Sequence, residues 1–209
     1  MKSTVRCYLG LLCWLLLLNS SEASQAADAG QVGIALGRGS ETGDLSAIVE
    51  RRVLRILTVY GPGRYYLDEG AKGVTAEYAK RLGTVINETF DTGHLKIMVV
   101  VIPVARDELF QALVEGRGDV VIAGTTITEA RRENVDFTNP VSKPLKEIVV
   151  TGPSGQGLRT LTDFSGKTVY LRPSSSYADS VNRLNEKFAA RNQPAIAIEP
   201  MSELLEDRS

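Results

Sequence analysis

The chain has 209 residues, 43% of them hydrophobic and 23% charged, with a formal net charge of −1, one His and two Cys. This is the composition of an ordinary soluble globular protein, with too little Gly and Pro for a collagen-like or low-complexity one. A near-neutral balance lacks the basic face of a nucleic-acid binder, and the lone His94, in the turn after Asp91-Thr92-Gly93, argues against a His-based metal cluster or a Ser/His/Asp triad.

Lys2 and Arg6 precede an apolar run from Leu9 to Leu18, followed by small and polar residues up to Ala26 and Ala27. These are the three parts of a secretory signal, predicted over residues 1–26. The run is far short of the roughly 20 residues that span a bilayer, and bulky Leu12 before Cys13 disfavours a lipoprotein signal. Cys7 and Cys13 both fall in the removed segment, so the exported chain is expected to contain no disulfide. It would keep 22 basic and 24 acidic residues. Retention of the signal would leave the protein membrane-associated instead. Residues 27–52 are Gly, Ala, Ser and charge, which predicts a flexible linker with one helical turn around Leu45 to Val49. The glycines from Gly37 to Gly43 lack the flanking strand and helix spacing of a phosphate loop.

From Val53 onward the pattern alternates. Val53 to Tyr60 predicts a buried strand closed by Gly61-Pro62-Gly63, and Val74 to Thr89 a helix with apolar positions at Val74, Tyr78, Leu82, Val85 and Ile86. Leu95 to Ile102 is a continuous apolar run, expected of a strand covered on both faces. Leu109 to Glu115 predicts a helix, Asp119 to Ala123 a short strand and Ile148 to Thr151 another. Gly152 to Gly157 is the clearest linker, after which Thr168 to Leu171 predicts a strand, Tyr177 to Ala190 a helix and Ala195 to Ile198 a strand. The expected fold is α/β with a largely parallel sheet, in two lobes: residues 53–151 and residues 152–209, with no sequence repeat between them.

A cleft between lobes suits a small ligand. The segment Gly124-Thr125-Thr126-Ile127-Thr128-Glu129-Ala130-Arg131 directly follows a strand. Thr128 has the chemistry of a helix N-cap, Thr126 offers a hydroxyl beside Thr125, and Arg131 offers a planar fork suited to a carboxylate. Together they would form an anion-binding corner. A plainer reading makes Arg131-Arg132 a solvated helix face, Ser174 to Ser176 the cap of the helix from Tyr177, and Asp119 a turn residue. Gly166-Lys167-Thr168 ends like a phosphate loop, but Leu161 stands where its first Gly is required.

The stretch from Gly73-Val74-Thr75-Ala76-Glu77-Tyr78 to Gly83, with Leu109-Phe110-Gln111-Ala112-Leu113, Gly116-Arg117-Gly118-Asp119-Val120, Thr126-Ile127-Thr128, Arg131 and Val135-Asp136-Phe137, resembles type 2 periplasmic solute-binding proteins of family 3. The segments Val59 to Tyr66 and Pro173 to Tyr177 narrow the resemblance to the substrate-binding-like N-terminal module of membrane-bound lytic murein transglycosylase F and its relatives. The resemblance implies a two-lobe type 2 fold, with the first lobe mostly present and the second partial. It implies a small carboxylate-bearing, amino-acid-like solute held by Arg131 and Thr126, closed over by Ser175 and Ser176, with Tyr65 or Tyr66 as an aromatic wall. Val74 and Thr75 depart from the usual aromatic-then-acidic pair, Ser174 from a common Gly, and Val141 from an aromatic. No metal or cofactor is implied.

A lytic transglycosylase resemblance raises the question of catalysis. In that family a catalytic Glu is followed directly by Ser, and no Glu-Ser pair occurs in this chain. Glu203, Glu206 and Asp207 look like a solvated end rather than a catalytic carboxylate pair. The expectation is an exported, non-enzymatic binding module whose partners are a small solute and a membrane transporter or peptidoglycan. The alternative is a sensing or regulatory module of a lytic murein transglycosylase whose catalytic domain lies outside this chain. A third reading keeps the fold as a protein–protein interaction domain that has lost its ligand.

Overall fold

The computed structural model describes residues 40–203, so the signal over 1–26, both cysteines, Glu206 and Asp207 lie outside the described residues. β1 (Val53–Thr58) is buried at all six positions, because it is the middle strand of a three-stranded sheet. Parallel β4 (Met98–Pro103) pairs with it from Val53↔Met98 to Thr58↔Pro103, and parallel β5 (Val120–Val121) pairs at Ile56↔Val120 and Leu57↔Val121. The helical connections α2 (Val74–Thr89) and α3 (Leu109–Val114) carry the chain between these strands. The two-residue strands β2 (Tyr66–Leu67) and β3 (Ala71–Lys72) form an antiparallel hairpin just before α2.

The period of two along β1 sorts its side chains between two cores. Leu57 and Val59 pack with Leu109, Ala112 and Ala123 on the α3 side. Leu54 packs with Ile48, Ile86 and Ile97 on the α2 side. Ile48 belongs to α1 (Leu45–Arg51), whose cap Asp44 accepts hydrogen bonds from Ser46 N–H and Ala47 N–H. The single turn expected around Leu45 to Val49 is thus a longer helix, and its Ile48 is a core residue.

Arg55 points to the α3 side of β1 and is buried, which only a matching carboxylate makes tolerable. Asp119 supplies it, accepting from Arg55 N–H at 2.7 Å, Nη2 at 2.8 Å and Nε at 3.3 Å, with Arg51 Nη2 at 2.5 Å. Arg55 Nη2 also donates to Glu41 O at 2.8 Å. Asp119 is therefore the hub that ties residue 41, α1 and β1 to the start of β5, rather than a simple turn residue.

Two expectations are corrected here. β4 is half-buried in its middle and exposed at both ends, since it is an edge of its sheet among the described residues and is not covered on both faces. Ile148 to Thr151 forms no strand; Ile148 and Val150 are 83% and 87% exposed. Apolar, β-branched residues make a strand only where a neighbouring strand accepts their backbone groups, and no described segment does so here.

Beyond residue 151 the chain builds a second parallel pair, β6 (Thr168–Leu171) with β7 (Ala197–Pro200), connected through α5 (Ser176–Ala189). One device recurs in both units. Asn87 near the end of α2 accepts from Ile97 N–H at 2.7 Å and donates to Ile97 O at 3.0 Å. Asn185 in α5 accepts from Ile196 N–H at 2.7 Å and donates to Ile196 O at 2.9 Å. Each clamp fixes the chain just before the strand that returns to its sheet, a repeat too sparse to see in sequence. No helix among the described residues is long and apolar enough to cross a membrane.

Candidate functional site

The exit from β5 is pinned from below. Ile122 N–H donates to Leu57 O at 2.9 Å, and Ile122 O accepts from the hydroxyls of Thr58 and Thr75 at 2.8 and 2.9 Å. Both threonines are buried, and their oxygens lie 3.0 Å apart. Thr75 thereby ties the first turn of α2 to the end of β5. Thr75→Val is expected to lower stability by about 1 kcal/mol, the ordinary contribution of one buried hydrogen bond, measured as a shift of the urea midpoint.

Gly124 then turns the chain with φ +60°, and a Cβ there would collide with the Arg64 guanidinium. The positive φ favours glycine, and the room left by its missing side chain is taken by the end of the flexible Arg64 side chain. After Thr125, which is half-buried, and exposed Thr126, Thr128 caps a one-turn helix, α4 (Glu129–Arg132), accepting from Arg131 N–H at 3.3 Å. So short a helix has almost no dipole, and side chains must carry any anion recognition.

Arg131 folds back over its own loop. Nη1 donates to Thr126 O at 2.8 Å and Nη2 donates to Ser174 O at 3.1 Å. The guanidinium lies 4.9 Å above the Phe110 ring, which meets Phe137 at 6.1 Å. Burial holds the Arg131 pKa below the usual guanidinium range; the Asp179 charge opposes this and the Arg106 charge reinforces it. Arginine stays cationic under such a shift. The plainer reading of a solvated Arg131 is set aside by these contacts, whereas Arg132 is exposed on α4, 6.0 Å from Phe137.

The loop before α5 meets this corner. Ser176 Oγ donates to Thr126 Oγ1 at 3.1 Å. Ser175 is the N-cap of α5, accepting from Ala178 N–H at 3.3 Å and donating to Arg172 O at 2.7 Å. The structure therefore brings Thr126, Arg131 and Ser176 together, with Ser175 and Thr125 beside them in the chain. It does not add the tyrosines to that set of bonds. Tyr65 lines a groove with Ala76, Lys80, Val99 and Val101 along α2 and β4, and Tyr66 is half-buried in the β2–β3 hairpin.

Four further residues join the corner. Phe110 sits inside the Leu109-to-Leu113 motif, and a ring there carries no polar signal in sequence. Arg64 belongs to the turn after β1 and reaches Gly124 only through the fold. Arg106 Nη1 donates to Ala123 O at 3.4 Å. Glu203, expected at a solvated end, instead accepts from Ser174 N–H at 2.9 Å and Ser174 Oγ at 2.6 Å, with Arg172 Nη1 at 3.9 Å. Backbone N–H groups ahead of a helix cap draw a carboxylate. Among the described residues no three His, Cys, Asp or Glu side chains are grouped to hold a metal ion.

The sequence profile of the bacterial extracellular solute-binding proteins, family 3, matches residues 55–197. The chain belongs to this family. Solute binding is accordingly its function at the broadest level. Among curated relatives, this family 3 chain is 27% identical over 166 residues to membrane-bound lytic murein transglycosylase F of Maricaulis maris (strain MCS10), covering 78% of the chain and 35% of the relative. It spans between about a quarter and about a third of the length of the relatives of that name. Among solved structures, it resembles the ancestral amino acid-binding protein AncCDT-1, a precursor of cyclohexadienyl dehydratase, with TM-score 0.58 and 22% identity over 75% of this chain and 64% of that one. An ancestral arginine-binding protein bound to arginine gives TM-score 0.50 and 24% identity over 72% and 61%. These likenesses establish the α/β periplasmic-binding fold, with coverage of about three-quarters of the chain.

Proposed function

We propose that this chain is an exported, non-catalytic module that holds a small carboxylate-bearing, amino-acid-like solute between the loop after β5 and the loop before α5. The observation that carries this reading is the Arg131 guanidinium, seated on Phe110 and bonded to both loops, beside the Thr126 and Ser176 hydroxyls. A planar two-pronged donor flanked by hydroxyls matches a carboxylate in shape and charge. Arg131 is the anchor, Thr125, Thr126, Ser175 and Ser176 supply the surrounding donors, and Tyr65 or Tyr66 is the aromatic wall. Residues 53–151 act as the first lobe and the residues from 152 as part of the second, closing on the solute. Residues 1–26 direct export, and a membrane transporter is the partner. N-terminal sequencing of the exported protein checks the signal: it should begin near Ala27.

The names of the curated relatives favour a second reading, a sensing module of a cell-wall glycan-cleaving enzyme that binds peptidoglycan fragments. A thermal-shift screen of free amino acids, small carboxylates and peptidoglycan fragments separates the two. Under the first reading free carboxylates at a hundred times their Kd raise stability by about 2.7 kcal/mol, and Arg131→Ala removes the rise. Stabilisation by peptidoglycan fragments alone would favour the second. A rise that persists in Arg131→Ala would overturn the assignment of the anchor.

A further inference from the structure

We propose that Glu203 is a positioning residue for the solute anchor: acting through Ser174, it fixes the direction in which Arg131 presents its guanidinium. This rests on the carboxylate reading above for what Arg131 grips. The contact begins in the topology. β6 and β7 are parallel neighbours in register from Thr168↔Ala197 to Leu171↔Pro200, and Met201 N–H continues the ladder by donating to Leu171 O at 3.0 Å. Parallel strands end on the same side of their sheet, so the chain leaving β7 runs beside the chain leaving β6. Glu203, three residues beyond β7, therefore lies against Ser174, three residues beyond β6.

Every polar group of Ser174 then has a partner. Its N–H donates to Glu203 Oε1 at 2.9 Å and its hydroxyl to Oε2 at 2.6 Å, while its carbonyl accepts from Arg131 Nη2 at 3.1 Å. Ser175 N–H donates to Arg172 O at 3.1 Å, which fixes the same peptide unit from its other side. Ser174 is thus a relay between two side chains that share no bond of their own. The consequence falls on Arg131. Its guanidinium stands 4.9 Å above Phe110, an attraction that leaves the cation free to turn over the ring. Thr126 O, in the same loop as Arg131, holds one prong at 2.8 Å, and Ser174 O, from the other loop, holds the second. A carboxylate that answers both an N–H and an O–H of one residue makes two charge-assisted bonds and holds that residue in place. Without it the Ser174 carbonyl loses its fixed position, the guanidinium keeps one firm bond, and its ordering is left to the moment of binding.

NMR and isothermal titration calorimetry of the full exported chain test this together. The Arg131 Nε–H peak, assigned by its loss in Arg131→Lys, reports the seat of the guanidinium on the Phe110 ring. It is expected to move in Glu203→Ala, and less far in Ser174→Ala, which keeps the N–H bond, and in Glu203→Gln, which keeps one acceptor oxygen. Adding Ser174→Ala to Glu203→Ala should move it little further, because the two act as one unit. With L-alanine, L-glutamate and L-arginine as probes, Glu203→Ala should weaken whichever binds by about tenfold, the cost of ordering one long side chain. A Glu203 that serves only to hold the fold would lower the urea midpoint and leave peak and affinity where they were. Either an unmoved peak or, where a probe binds, an unchanged affinity would overturn the proposal. A peak that moves while none of the three probes gives heat with the wild-type chain would leave the positioning of Arg131 standing and overturn the amino-acid-like reading instead.

Discussion

Asp119→Ala is expected to destabilise the chain by about 3–5 kcal/mol, the cost of stranding a buried charge by removing its partner. Arg55 is 2% exposed in the central strand, and Asp119 receives three of its N–H groups as well as Arg51. Asp119→Asn keeps the shape and one or two of the bonds, so its loss should be smaller but still well above 1 kcal/mol. The same residue predicts acid sensitivity. Burial pushes the Asp119 carboxyl up, but the bonds from Arg55 and Arg51 outweigh it and hold the pKa below the ordinary carboxylate value. A carboxyl depressed on folding contributes stability that is complete above about pH 4 and fades as pH falls through its folded value. Urea midpoints for wild type and Asp119→Asn should therefore converge below pH 4. A loss under 1 kcal/mol at pH 7, or a gap that stays constant down to pH 2, would contradict this account.

Leu57→Ala is expected to cost about 2–5 kcal/mol, the range for emptying a fully buried leucine site. Leu57 has no exposed surface, packs with Val59, Leu109, Ala112 and Ala123, and its carbonyl takes the Ile122 N–H that positions the loop carrying Thr126. Gly118 packs directly against the Leu57 side chain and has no side chain of its own with which to refill the space. An unchanged urea midpoint would show that the surrounding helices collapse into the cavity.

Much of the architecture was legible before any coordinates. The helix over Val74–Thr89 and the strand over Thr168–Leu171 match the observed bounds, and Ser176–Ala189 lies within one residue of the expected helix. The apolar period located the first of these helices but misread its face: Val74, Tyr78 and Val85 are exposed, and Thr75, Ala79 and Ile86 are the positions buried against the sheet. Thr128 and Ser175 were also readable, since an N-cap is a local bond between a side chain and the backbone three residues on. Failures came where a partner decides the outcome. Ile148 to Thr151 has a strand's composition but no ladder, and Asp119 looked like a turn residue because its two arginines are 64 and 68 residues away.

The sequence by itself determined the α/β order of elements, the family and the residue types able to grip a carboxylate, because periodicity, caps and motif spacing are local properties of the chain. Only the tertiary structure decided which of those residues meet. It put Arg131 on Phe110 and against the Ser174 carbonyl, brought Arg64 onto Gly124, turned Glu203 back onto Ser174 and set Tyr65 along β4. Those contacts join segments tens of residues apart, and parallel strands, which need a crossover between them, bring the ends of distant segments to one side of a sheet only once the whole unit has folded.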